Sequence, residues 1–233
     1  MADWETSISS AGRTSEIRGV DLETVMNMPF HKAIYLTLKG EEPSEKEAEL
    51  FTTILSGCVD HGIGNPSTIS ARTVQSGGNG MNTSVAAGIM ALGNKHGGAI
   101  EEAMRLLQSD SSAEEIVRHI LENNKKIPGL GHKVYISKDP RTEEILNKAE
   151  RLGLKGKNIE KMLRIQKVFA DRKTNLVLNV DGAIAGVMSD MGFEPELGKG
   201  FFIIARTPGL VAHVREEMDE PDFRRLEGEY KED

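Results

Sequence analysis

Aromatic side chains are scarce in this chain: 7 Phe, 3 Tyr and 1 Trp make up 5% of 233 residues. A core with so few rings has to be largely aliphatic and methionine-rich, and there is little to stack along a nucleic-acid strand. Cysteine is nearly absent too. Cys58 stands alone, so no intrachain disulfide can form, and nothing points to an oxidising compartment. Long apolar runs are missing. FFIIA and AIAGVM fall far short of the roughly 20 residues that span a bilayer as a helix. The opening MADWETSISS has no basic stretch followed by an apolar one, so it does not read as a secretory signal, and a cytoplasmic location is expected.

What remains is an ordinary globular composition, 38% hydrophobic and 28% charged, long enough for one large domain or two small ones. The net charge of −7 hides a segregation. Between Arg118 and Lys173 there are 15 basic against 7 acidic residues, an excess of +8 that leaves the remainder at −15. Such a block is either a solvated helical surface or a local site for an anionic ligand.

Patterning is helical for most of the length. Residues up to about Arg18 read as irregular. Helices are expected over 22–38, 44–58 (opened by a Ser44/Glu47 capping box), 66–75, 82–93 and 98–108. Ser112 with Glu115 opens another, and Asp139-Pro140 is an N-cap followed by proline for a helix towards Arg151. Apolar positions recur at helical spacing over 157–172. NLVLNV has strand propensity, but its continuation into AIAGVMSDM favours a buried helix. Helices over 196–206 and 208–218 are expected to be separated by Thr207-Pro208-Gly209. The loop from Ser76 to Gly80 could cradle an anion, though a plain interhelical turn is preferred. No βαβ alternation and no internal repeat is visible, so the expected fold class is all-α.

Four polar residues stand out. His61 lies in CVDHGIGNPST, where a helix end and turn would suffice to explain it. His96 precedes Gly97-Gly98 and a good helix, whose dipole would disfavour a protonated ring and leave a neutral imidazole able to donate a hydrogen bond. His132 lies in the bent run Pro128-Gly129-Leu130-Gly131-His132, with Arg141 nine residues on as a fork for a carboxylate. Asp181 sits in apolar company, LVLNVDGAIAG, where partial desolvation would raise its basicity and suit it to take a proton from carbon. Arg206, within FFIIARTPGLVAH, is a further charge that needs an anionic partner. Lys133 and Lys138 are candidates for phosphate contacts.

Together these motifs resemble the citrate synthase family: VDHGIGNPSTISAR, ALGNKHGGAIEEA, GLGHKVYISKDPR, LNVDGA and ARTPGLVAH, in the family's order, from about Leu50 to His213. The opening WETSISSAGRTSEIRGVDLETVM, and the glycine after the aspartate in LNVDGAIAG, resemble the citryl-CoA lyase and ATP-citrate lyase C-terminal branch. The resemblance implies an all-α homodimer or tetramer with a large domain (1–99 and 191–233), a smaller mobile domain (100–190), and a CoA-thioester site between them.

By the same resemblance Asp181, His96 and His132 would be catalytic. Asp181 would act at the acetyl carbon, His96 would face the thioester oxygen, and His132 would face the oxaloacetate carbonyl. His61, Arg141 and Arg206 would hold carboxylates. Arg224 or Arg225 would reach the neighbouring subunit's site. Pro128, Gly129, Leu130, Gly131, Lys133 and Lys138 would carry coenzyme A, which arrives as part of the substrate. No metal, no permanently bound cofactor and no nucleic-acid or membrane partner is expected. The expected activity is citryl-CoA cleavage to acetyl-CoA and oxaloacetate. A citrate synthase is the alternative, since His96 is kept as in synthases. A non-catalytic metal-binding helical protein is an alternative of another class.

Overall fold

In a computed structural model of the chain, described over residues 4–12, 14–131, 138–172 and 176–224, helices dominate as expected. The N-terminal stretch is not wholly irregular. Strands β1 (Ser9–Ser10), β2 (Glu16–Ile17) and β3 (Val20–Asp21) form a small antiparallel sheet in that order. Arg18 (φ 52°) and Gly19 (φ 77°) make the two-residue turn with positive φ that matches strand twist.

The helix expected over 22–38 is two helices, α1 (Leu22–Asn27) and α2 (Phe30–Lys39). Pro29 cannot donate a backbone hydrogen bond and forces Met28 into extended backbone (φ −87°, ψ 155°). Then come α3 (Glu45–Cys58), α4 (Pro66–Ser76), α5 (Met81–Met90), α6 (Ala99–Gln108) and α7 (Ala113–Glu122). The two capping boxes read in the sequence, Ser44 with Glu47 and Ser112 with Glu115, open α3 and α7. A plain turn over residues 77–80 joins α4 to α5. Helices α8 (Pro140–Leu152), α9 (Lys157–Arg172), α10 (Val180–Asp190) and α11 (Glu196–Glu217) complete the elements among the described residues.

Two expectations about the C-terminal third are corrected. Residues 176–179 are not helical: Leu178 bridges Leu130, Gly131 N–H donates to Val177 O (2.7 Å), and Asn179 N–H donates to Gly129 O (3.0 Å). The helix begins only at Val180. The helices expected on either side of Pro208 are one, α11, with Pro208 in its interior. An interior proline costs roughly 3 kcal/mol. Continuity is held by buried residues on both sides, Phe201, Phe202 and Ala205 before it and Leu210 and Val214 after it.

The scarce rings are concentrated. Tyr35 meets Phe51 and Phe193 edge-on at 5.3 and 5.1 Å, and Phe201 lies 5.6 Å from Phe51. Helix α10 is buried from Val180 to Ser189 at every position but Asp181, so it is the central helix, packed by α6, α8 and α9. Its first turn approaches the GLG run so closely that a Cβ on Gly182 would stand 2.6 Å from the Gly129 carbonyl oxygen. Among the described residues no helix is long and apolar enough to cross a membrane.

Candidate active site

The N-terminus of α10 opens onto a cavity of about 210 Å³. His61, His96, Arg141, Asp181 and Arg206, distant in sequence, all line it. His132, Lys133 and Arg225 lie outside the described residues.

Asp181 is the second residue of α10. Its N-cap, Asn179, accepts from Gly182 N–H (3.1 Å) and donates Nδ2–H to Gly131 O (2.9 Å), so one side chain ties the helix start to the GLG run. Burial pushes the Asp181 carboxyl above the usual range. Arg141 and Arg206 oppose the shift, and Asp139 reinforces it. A carboxyl of that kind holds and releases a proton in a pH range where an ordinary aspartate is simply ionised.

Arg141 stands at the start of α8, folded back on Asp139: Nε lies 3.1 Å from Oδ1 and Nη2 2.9 Å from Oδ2. The buried Asp139 carboxylate also caps the helix by accepting from Arg141 N–H (3.0 Å). This fork fixes the guanidinium plane at the cavity wall. Arg206 comes from α11. Its Nε donates to Cys58 O (2.8 Å), its guanidinium carbon lies 5.0 Å from the Phe202 ring centre, and its Nη1 is buried with no hydrogen-bond partner among the described residues. Burial lowers the Arg206 pKa, yet guanidinium stays charged in proteins. A buried charged donor left unmet on a cavity wall fits an anionic ligand.

His96 closes a two-residue hairpin, Asn94-Lys95, in which Gly93 and His96 exchange backbone bonds of 2.9 Å. Its Nε2 is 2.9 Å from Ser67 Oγ, which donates to Asn65 Oδ1 (2.6 Å). The imidazole pKa is lowered, first by burial and then by Arg206. Both effects disfavour the protonated ring, and α6 starts only at Ala99, three residues on. His61 is exposed at the rim, in a turn where Asp60 Oδ2 accepts from Gly62 N–H (2.9 Å).

Other residues fall elsewhere. Gly129 and Gly131 hold Asn179 through their carbonyls, and none of Pro128, Gly129, Leu130 and Gly131 lines the cavity. Lys138 is exposed and pairs with Glu143 at 2.5 Å. Arg224 is held by Glu217 of its own chain, with Nη2 3.0 Å from Oε2. Seven lining residues were not foreseen, the small or aliphatic Gly97, Ala99 and Val180 together with Asn65, Lys95, Asn179 and Phe202. Asn65 and Asn179 had a legible signal, since each is an Asn directly before a helix start. Among the described residues no group of three or more His, Cys, Asp or Glu is placed to hold a metal.

A family model described as "Citrate synthase, C-terminal domain" matches residues 4–227. The chain belongs to that family. Among its curated relatives, "Citrate synthase 2" of Bacillus subtilis is 35% identical over 201 residues, covering 83% of this chain and 54% of that one. "Citrate synthase" of Haloferax volcanii is 34% identical over 86% of this chain and 55% of that one. This citrate synthase family member thus spans about half the length of the curated relatives it matches. Among solved structures, citryl-CoA lyase from Hydrogenobacter thermophilus superposes with a TM-score of 0.94 at 45% identity, covering 99% of this chain and 95% of that one. ATP citrate lyase from Methanothrix soehngenii, solved with citrate and coenzyme A, gives 0.81 at 23% identity over 93% of this chain and 39% of that one. That likeness shows the shared fold.

Proposed function

We propose that the protein is a citryl-CoA lyase, cleaving citryl-CoA to acetyl-CoA and oxaloacetate. The observation that carries this reading is the meeting of Asp181, His96, Arg141 and Arg206 on one small cavity. The 45% identity to a citryl-CoA lyase over 95% of that chain supports it.

Arg141, Arg206 and His61 hold the two carboxylates of the citryl group, His61 from the rim. Loss of the citryl hydroxyl proton, assigned to His132, turns the hydroxyl-bearing carbon into the oxaloacetate carbonyl. The carbon–carbon bond breaks and its electron pair enters the thioester, giving the acetyl-CoA enolate. His96 donates a hydrogen bond to the enolate oxygen, and protonated Asp181 delivers its proton to the terminal carbon. No proton is gained or lost overall, and the steps reverse for condensation.

On the same reading Pro128–Gly131, Lys133 and Lys138 carry coenzyme A, residues 100–190 close over the site to exclude water, and Arg224 or Arg225 serves a second copy in a homodimer or tetramer. No cofactor is retained between turnovers. The setting is cytoplasmic. A citrate synthase is the second reading, favoured by His96 at the cavity and by the 35% identity to a citrate synthase. Offering citryl-CoA, and separately acetyl-CoA with oxaloacetate, separates the two. The lyase yields acetyl-CoA and oxaloacetate from the first, whereas release of free coenzyme A from the second would favour the synthase.

A further inference from the structure

The turn that carries His61 is seated, residue by residue, on one face of α11. Arg206 Nε–H donates to Cys58 O at 2.8 Å. Gly209 lies so close to the Val59 carbonyl that a Cβ there would run into its oxygen. His213 Nε2 stands 3.0 Å from Asp60 Oδ1. Positions 206, 209 and 213 follow helical spacing, and they meet 58, 59 and 60 in the same order. Nothing proposed for the reaction uses His213 or Asp60.

Asp60 links α11 to the turn. While Oδ1 faces His213, Oδ2 accepts from Gly62 N–H at 2.9 Å. Burial works against the Asp60 charge, but the N–H groups of Gly62 and His61, together with His213, outweigh it and hold the carboxyl below its ordinary pKa. The other nitrogen of His213, Nδ1, lies 3.4 Å from Arg72 Nη1. Guanidinium can only donate, so Nδ1 accepts and Nε2 carries the proton that points at Asp60. Arg72 is buried and anchored on the fully buried Glu217 carboxylate and on Glu216. The imidazole is therefore clamped from behind.

We infer that His213 is a positioning residue: through Asp60 it fixes the turn that sets His61 at the rim of the cavity. The inference rests on the reading of that cavity as a citryl-CoA site. Losing the clamp costs binding of the citryl carboxylate more than the chemical step, which belongs to residues on other elements.

The test compares His213→Leu, His213→Gln and Asp60→Asn with the wild-type protein. Leucine removes both the donor and the acceptor. Glutamine restores one of each in similar places, and asparagine removes the charge that His213 faces. Expected are a KM for citryl-CoA raised about tenfold in the leucine and asparagine variants, kcat within about twofold, and a glutamine variant within about twofold of wild type. In parallel, the His61 ring resonance, assigned by His61→Asn, should move in His213→Leu and not in His213→Gln. An unchanged KM in both Leu and Asn variants, or a glutamine variant as impaired as leucine, overturns the inference. If the wild-type protein cleaves no citryl-CoA, the functional reading fails by itself. The His61 resonance then decides alone: moved supports the positioning role, unmoved rejects it.

Discussion

His96 Nε2 lies 2.9 Å from Ser67 Oγ, and that hydroxyl spends its single proton on Asn65 Oδ1 at 2.6 Å. Asn65 is oriented in turn, since its Nδ2 donates to Gly62 O (2.6 Å) and its Oδ1 also accepts from Thr68 N–H (3.0 Å). The imidazole therefore donates from Nε2 to Ser67, and in the neutral ring Nδ1 carries the lone pair. Offering N–H from Nδ1 to an enolate oxygen requires the other tautomer, in which the ring has lost its Nε2 proton to solvent and gained one at Nδ1, and Ser67 has turned its O–H from Asn65 to Nε2. Ser67→Ala removes that hydroxyl and leaves Nε2 without a partner. Steady-state kinetics of this variant should show kcat for citryl-CoA cleavage lowered by about tenfold with KM little changed.

Asp181→Asn separates chemistry from stability. Proton delivery by a placed carboxyl contributes about 10²–10⁴ in rate, so turnover should fall by at least the lower figure while coenzyme A ester binding, read by calorimetry, is retained. The variant should also melt higher above neutral pH. In the folded protein this carboxyl gives up its proton at a higher pH than in the unfolded chain, because burial raises its pKa. As pH rises past the ordinary aspartate value the unfolded chain binds fewer protons than the native one, and stability falls across that window. Asparagine lacks this penalty, and a gain of about 1 kcal/mol is expected.

The unmet buried donor of Arg206 makes a binding prediction. Arg206→Met should weaken oxaloacetate or citrate binding by about 3 kcal/mol, roughly a hundredfold in Kd at 25 °C, as measured by titration calorimetry. Arg206→Lys should recover only part of this, since an ammonium lacks the fork that spans Cys58 O and a ligand.

Cleavage and condensation should respond to pH in opposite senses. The cleavage direction needs Asp181 protonated, so its rate falls as pH rises through the raised Asp181 pKa. Condensation needs the carboxylate and gains over the same range. Paired pH–rate profiles check this, and Asp181→Asn should erase both limbs.

Caps and helical periodicity in the sequence located most elements. Both capping boxes and the Asp139-Pro140 start are where local chemistry puts them. What escaped was long-range. Pro208 looks like a break until the packing of Phe202 on one side and Leu210 on the other is known. Residues 176–179 read as helical by continuity, whereas the GLG run, about 50 residues away, bridges Leu178 and holds Asn179 ahead of the helix start. The cavity residues Asp181 and Arg206 were legible as charges in apolar surroundings, and their convergence with His61, His96 and Arg141 is a property of the fold. Lys95 and Phe202 carried no such signal, since one is an ordinary turn lysine and the other an ordinary helix aromatic.

The claim at the centre is that Asp181 hands a proton to the enolate carbon freed by cleavage. Citryl-CoA incubated in D₂O tests it, with the methyl group of the acetyl-CoA product read by mass spectrometry. The wild-type protein is expected to give acetyl-CoA with one deuterium per methyl, and Asp181→Asn to give almost none over the same time. Equal amounts of labelled acetyl-CoA from both proteins would contradict the account.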